Sequence, residues 1–446
     1  MPLPKAGHYV LAADLTWTGA SFEPGVRVEV GADGRIAGVE RSAPGAAESA
    51  PELEPVRLTG RALLPGMVDA HSHAFQRGLR GRGETFPAGA GSFWTWREAM
   101  YGLVDGLDAG AFRRLCERAF REMRAAGITA VGEFHYLHHA GEREDYGLDE
   151  LVLGAAGEAG IRLVLLNAYY RTGAIGQPLA GAQRRFGSPS PAAYWQQMDR
   201  LAERLDRRRQ SLGAVVHSIR AASLEDLAAI YGEARRRDLV FHMHVEEQRR
   251  EIEDAMAHYG KRPMQLLWET LGTATDLTAV HCTHTLPEDI ERFAAAGGTV
   301  CLCPLTEANL GDGIADAAHM LGTEAGLCLG SDSNARISLF EEMRWLEYGQ
   351  RLRRESRGVL RDPAGGVAKV LFQAATAGGA NALGIPAGRI EPGRWADFAA
   401  VDLAAPTLEG WTADTLLDAL VFGTTEEVVA ATCVGGEWQE HRTGKV

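Results

Sequence analysis

Two histidines one residue apart, His71 and His73, close the apolar stretch "LPGMVDAHSH". In an extended strand, side chains at i and i+2 share a face, so both imidazoles point the same way and can hold one cation. Three further residues of metal-ligand type end apolar runs later in the chain: His244 in "HMHVEE", His281 in "AVHCTH" and Asp332 in "LGSDSN". Any one of these alone would be an ordinary buried polar residue. Three imidazoles and one carboxylate drawn from this set of five suit Zn2+, with water completing the shell.

Glu247 lies three residues beyond His244. A carboxylate there can take a proton from the activated water and pass it to a leaving group. Neighbouring Glu246 and His242 are read as structural, His242 lying deeper along the same strand. Binuclear sites of this kind commonly use a carbamylated lysine as bridge, but the only lysines are Lys5, Lys261, Lys369 and Lys445, none between the first and fifth strands. One ion is therefore expected. Glu133 is left as either an acidic bridge or a hydrogen-bonding residue inside the fold.

These residues need elements to position them. Eight apolar runs read as strands: "ALLPGMVDAHSH", "ITAVGEFHY", "IRLVLLNAYY", "GAVVHSI", "LVFHMHV", "LTAVHCT", "GTVCLCP" and "LCLGSD". Helical patterns alternate with them, such as "AFRRLCERAFREMRAAG", apolar on one face and arginine-rich on the other. Ser223 and Asp226 in "SLED" form a capping box for the helix between the fourth and fifth strands. The alternation predicts an α/β fold, a closed parallel (β/α)8 barrel with its site at the C-terminal strand ends. An open doubly wound sheet is disfavoured, since no Gly-x-Gly-x-x-Gly turn follows the first strand. Both termini read as short strands, including a hairpin at Asp33-Gly34, and are expected to build one small β-sandwich domain. The expected boundaries are 1–64 plus 378–446 for that domain and 65–377 for the catalytic barrel. The arginine runs 207–209 and 235–237 are read as solvated helix faces.

The chain's 446 residues are enough for one large core and a smaller one, and 46% hydrophobic content is ordinary for a water-soluble enzyme. A formal charge of −13 argues against a nucleic-acid-binding surface. No run is long enough for a membrane span, and the N-terminal residues carry no export pattern. Six scattered cysteines without a Cys-x-x-Cys pair indicate neither a disulfide framework nor a cysteine zinc cage, so a cytoplasmic protein is expected.

The motifs "LPGMVDAHSH", "HVEE", "HCTH", "GSDS" and "GRIEPGRWADFAAVDL" together resemble the amidohydrolase superfamily over nearly the whole chain. Within it, "HSHAFQRGLRG" followed by "SFWTWREAMY" is similar to the formimidoylglutamate deiminases of histidine degradation. That resemblance implies a homodimeric mononuclear zinc hydrolase converting N-formimidoyl-L-glutamate and water into N-formyl-L-glutamate and ammonia. It implies His71, His73, His244 and Asp332 as metal ligands, and Glu247, His281 and Asp332 as catalytic groups. Gln76, Arg97, Tyr136, His217 and Arg220 fall on its substrate-binding positions. Two arginines suit a dicarboxylate, because each guanidinium can bind a carboxylate through two parallel hydrogen bonds. The intervening "GETFPAGAGS" is expected to be a mobile loop. A zinc aminohydrolase of purines, pterins or other cyclic amidines is the alternative, and would need an aromatic sandwich for its ring. A non-catalytic barrel scaffold would have no use for the full ligand set plus Glu247. Nucleic-acid zinc deaminases are disfavoured because their His-x-Glu and Pro-Cys-x-x-Cys pattern is absent.

Overall fold

The computed structural model describes residues 3–4, 7–41, 53–86, 89, 91–141, 145–272 and 276–441. Lys5, Lys445 and residues 87, 88 and 90 of the glycine-rich loop lie outside them. The eight apolar runs are the strands β1 (Met67–Ser72), β2 (Ile128–His135), β3 (Arg162–Tyr169), β4 (Gln210–Ser218), β5 (Phe241–Val245), β6 (Thr278–His281), β7 (Thr299–Leu302) and β8 (Gly326–Leu329). They pair in sequence order, parallel throughout. Every residue of β1, β2, β3, β5 and β6 is buried, as strands covered on both faces require.

The first and last strands meet just beyond their ends. Ser72 bridges Asp332 in parallel, the Asp332 N–H donating to His71 O at 2.9 Å and the His73 N–H to Asp332 O at 2.9 Å. Gly330 makes this approach feasible, since a Cβ there would lie 2.7 Å from both the Cβ and the carbonyl oxygen of His71.

Helices pack outside the barrel for the reasons visible in their sequences. The helix Ala109–Ala125 buries Phe112, Cys116, Ala119, Phe120 and Met123, and the Asp108 side chain caps it by accepting from the Ala111 N–H. Ser223 caps the helix Leu224–Arg236 by accepting from the Asp226 N–H at 3.1 Å. Arg235, Arg236 and Arg237 end that helix in ion pairs with Asp276, Glu233 and Asp199. Residues 207–209 do not form a helix face. They make the turn into β4, where Arg209 pairs with Glu437 at 2.6 Å, because the preceding helix stops at Arg204.

Strands from both termini form a second sheet. Val56–Pro65 runs parallel to Tyr9–Trp17 on one side and antiparallel to Phe398–Asp402 on the other, which Val429–Val434 extends. The expected hairpin joins Val26–Val30 to Ile36–Arg41, with Gly34 at φ 81°. Gly34 abuts the opposite hairpin so closely that a Cβ would lie 2.4 Å from Gly435 O. Its core is Leu11, Val28, Val30, Leu63, Phe398 and Cys433. No helix among the described residues is long and apolar enough to cross a membrane.

Two buried arginines fasten this sheet to the barrel. Arg124 donates to the Thr432 side chain and carbonyl and to Gly160 O. Arg162, at the start of β3, grips Asp397 with two bonds of 2.7 and 3.0 Å and lies over Trp395. Leaving one member of such a pair buried and uncompensated is costly, so Arg162→Met should lose about 3–5 kcal/mol of stability. Denaturant unfolding checks this, and a loss below about 1 kcal/mol would show that the pair does not anchor the sheet.

Candidate active site

The strand ends converge as the sequence pattern requires. His71 lies near the end of β1 and His73 just beyond it, His244 lies near the end of β5, and Asp332 follows β8. One potential ligand atom from each of these four lies within 4.8 Å of the others. His244 Nε2 is 3.1 Å from His71 Nε2, and Asp332 Oδ1 is 3.4 Å from His71 Nε2 and 3.3 Å from His73 Nε2.

Outer contacts fix two of the rings. His73 Nδ1 donates to Phe134 O at 2.7 Å and His244 Nδ1 to His217 O at 2.9 Å, leaving their Nε2 lone pairs facing the cluster. Burial keeps the three imidazoles neutral: the pKa of His73 falls to about 3, and those of His71 and His244 also fall. For Asp332 burial works in the opposite sense, but its contacts with His71, His281 and His73 hold it below the usual carboxylate range. Lone pairs and an anion facing one another this closely repel unless a cation lies between them, so the donor set fits a divalent ion of the zinc type.

Glu133 is not among the converging atoms. Its Oε1 accepts the Ala74 N–H at 2.7 Å, and burial raises its pKa to about 8. Glu246 holds Arg262 and the Met264 N–H, and His242 bonds Ala382 O, both away from the cluster.

His281 ends β6 with its Nε2 3.7 Å from Asp332 Oδ2 and 4.0 Å from Glu247 Oε1, while Glu307 Oε1 lies 3.3 Å from its Nδ1. Burial opposes a charge on this ring, but the Glu247, Glu307 and Asp332 carboxylates outweigh it and raise the pKa to about 10. Burial raises the Glu247 pKa, against the pull of His281 and Arg220. Both groups hold their protons more tightly than they would in water, so a buried carboxyl and a buried imidazole stand beside the cluster as candidate proton carriers. The backbone is strained here. Glu246, His281 and Asp332 have φ of 51°, 77° and 48°, a region costing a non-glycine residue about 1–2 kcal/mol.

Above the cluster opens a cavity of about 530 Å³, its mouth included. Gln76, Arg97, Tyr136, His217 and Arg220 all line it, together with His73, His244, Glu247, His281 and Asp332. Gln76 Nε2 donates to the Tyr136 hydroxyl at 2.7 Å. Arg97 Nε donates to the Tyr101 hydroxyl at 2.5 Å, and a second Arg97 nitrogen lies 3.4 Å from Gly173 O. His217 is half-buried, and loss of solvent around its ring together with Arg220 holds its pKa well below the usual imidazole value.

Sequence reasoning missed the cavity's aromatic wall, Phe93, Trp96, Tyr170 and Phe186. The expectation of a pocket offering mainly arginines and polar groups is corrected accordingly. Phe93 and Trp96 come from the helix Phe93–Gly106 and Phe186 from the turn Gly181–Phe186, segments whose approach to the barrel mouth no strand periodicity encodes. Glu307 was also missed. It caps the turn after β7 by accepting the Cys303 N–H at 2.9 Å, and a Cys-Pro-x-x-Glu spacing was the available signal.

The profile of the amidohydrolase family matches residues 62–439. A formimidoylglutamate deiminase of Pseudomonas aeruginosa is 40% identical over 93% of this chain and 90% of its own length. A 5-methylthioadenosine/S-adenosylhomocysteine deaminase of Nitratidesulfovibrio vulgaris is 28% identical over 84% of this chain and 78% of its own. Among solved structures, an amidohydrolase from Brucella melitensis superposes with a TM-score of 0.87 at 31% identity, covering 98% of this chain and 95% of that one. A zinc-bound adenosine deaminase from Xanthomonas campestris shares the fold at 23% identity, with a TM-score of 0.81 over 99% of this chain and 95% of that one. With its eight-stranded barrel and a profile match over most of its length, the chain belongs to the amidohydrolase family, hydrolases of carbon–nitrogen bonds.

Proposed function

We propose that the chain is a formimidoylglutamate deiminase, hydrolysing N-formimidoyl-L-glutamate to N-formyl-L-glutamate and ammonia as a step of histidine degradation, with one zinc ion per chain. The observation that carries this reading is the presence of two arginines, Arg97 and Arg220, in the same cavity as the imidazole–carboxylate cluster and Glu247. The 40% identical relative of that name supports it.

In this reading His71, His73, His244 and Asp332 hold the zinc. When bound, the ion lowers the pKa of water toward about 7 and polarises the formimidoyl group. Arg97 and Arg220 bind the substrate's carboxylates, and Gln76, Tyr136 and His217 hydrogen-bond its remaining polar atoms. Glu247 takes a proton from the attacking water and delivers it to the imino nitrogen, making the formimidoyl carbon more electrophilic as the C–O bond forms. His281 and Asp332 orient the nucleophile and stabilise the charge on the new oxygen. The proton of the newly formed hydroxyl then passes to the same nitrogen, so that the C–N bond breaks and ammonia departs as the formyl carbonyl forms. The aromatic wall and the 28% identical nucleoside-type relative favour a cyclic amidine as second reading. The buried guanidinium of Arg220 and the half-buried one of Arg97 have no anion to pair with on a neutral ring, which places that reading behind.

Three outcomes test these roles. Purified protein should hold about one zinc per chain by elemental analysis, and chelation should abolish ammonia release. Two ions per chain, both needed for turnover, would overturn the mononuclear assignment. Glu247→Gln keeps size and hydrogen bonding but not the titrating carboxylate, so kcat should fall on the order of 100-fold with zinc retained. Normal turnover would remove Glu247 from the proton path. Arg97→Met should cost roughly 2–5 kcal/mol in kcat/KM for N-formimidoyl-L-glutamate while leaving zinc content unchanged. If instead wild-type protein prefers a neutral cyclic amidine, the deiminase reading gives way to the second.

A further inference from the structure

Arg97 and Arg220 are held in opposite ways. The Nε of Arg97 has a neutral partner, the Tyr101 hydroxyl at 2.5 Å. Behind Arg220 stands a carboxylate: its Nε lies 3.6 Å from Glu251 Oε1. Glu251 sits in the first turn of the helix Arg249–Tyr259, is fully buried, and does not line the cavity. Among the described residues, neither Glu251 oxygen has a hydrogen-bond partner, and neither does Arg220 Nε. An anion buried this way is costly, and a fold that only needed to fill the space would place an apolar side chain there.

Geometry says what the charge can do. The guanidinium is planar, so an anion drawn to its Nε edge fixes the plane and leaves the opposite N–H groups for the cavity. Phe93, with Arg220 6.0 Å from its ring centre, bounds the same group from the mouth side, and the Arg220 carbonyl accepts from the Thr172 hydroxyl at 2.8 Å. Burial raises the Glu251 carboxyl to about 7 while Arg220 pulls it down, and the Glu251 and Glu247 carboxylates together keep Arg220 firmly charged.

We infer that Glu251 is a positioning residue: paired with the Nε edge of Arg220, it aims that guanidinium at a substrate carboxylate it never touches itself. This rests on the reading of Arg220 as a carboxylate-binding residue. It also explains why the helix carrying Glu251 follows Glu247 directly, since one short segment then sets both the proton carrier and the grip on the substrate's acid end.

The test is calorimetric titration of zinc-loaded protein with two probes, N-formyl-L-glutamate, which carries both carboxylates, and acetohydroxamate, a metal-binding molecule with none. Glu251→Ala should weaken N-formyl-L-glutamate binding about tenfold, and Glu251→Asp, which withdraws the carboxylate by one methylene, should weaken it by a smaller factor. Both should bind acetohydroxamate within about twofold of wild type, and in an Arg220→Met background neither change should add a further loss. If Glu251→Ala does not fold, Glu251→Asp with its Arg220→Met partner carries the comparison. The inference is overturned if both variants keep the wild-type affinity, if both probes weaken alike, if the losses add in the Arg220→Met background, or if wild type does not bind N-formyl-L-glutamate. Should wild type bind it, and the variants lose that binding, while no ammonia is released from N-formimidoyl-L-glutamate, the positioning role stands and only the proposed reaction falls.

Discussion

The site depends on how the barrel closes. Asp332 donates its backbone N–H to His71 and accepts the N–H of His73, and the same residue turns its carboxylate toward both imidazoles. The contact that closes the sheet therefore also assembles the candidate ligand set. Asp69 reinforces the seam by accepting from the Ser331 N–H and hydroxyl at 2.9 and 2.5 Å, and Asn334 bonds Ser72 at 3.0 Å. Burial raises Asp69 to about 7, offset in part by those Ser331 bonds. A one-residue slip between the first and last strands would turn these side chains to the wrong face.

The barrel interior tolerates this density of ionisable groups because each has a defined counterpart. The neutral imidazoles await a cation, His281 is balanced by three carboxylates, and Arg220 has Glu251 behind it. Several of the strained positions, Glu246, His281 and Asp332 among them, lie at the strand ends of the candidate site, where the surrounding hydrogen bonds hold unfavourable backbone angles. Apolar strands supply the rigidity that lets a few polar tips be placed closely.

Much of this was legible in the chain itself. An i, i+2 pair at the end of an apolar run constrains His71 and His73 to one face whatever follows, and eight such runs alternating with helices leave few architectures. The hairpin at Gly34 and the Ser223 cap follow from equally local chemistry. What stayed hidden depends on tertiary approach. Phe186 reaches the cavity only because its turn packs against Tyr101, Tyr136 and Tyr170, and Tyr170 only because β3 ends beside His217. Residues 207–209 looked like a helix face because arginine is a good helix former, and local composition does not reveal that the helix has already stopped at Arg204. Gln76, Tyr136 and His217 had no periodicity to mark them as cavity residues. Only resemblance to relatives brought them forward.

The seam between Asp69 and Ser331 joins residues 262 positions apart. A chain emerging from the ribosome N-terminus first exposes His71 and His73 long before their partners exist. The terminal sheet is delayed further, since Val56–Pro65 waits for Phe398–Asp402. Until then two imidazoles and an unpaired strand edge stand open to stray metal ions and to other strands. An ion held by the His71–His73 pair alone would have two donors, and the four-donor cluster is complete only once Asp332 has been made.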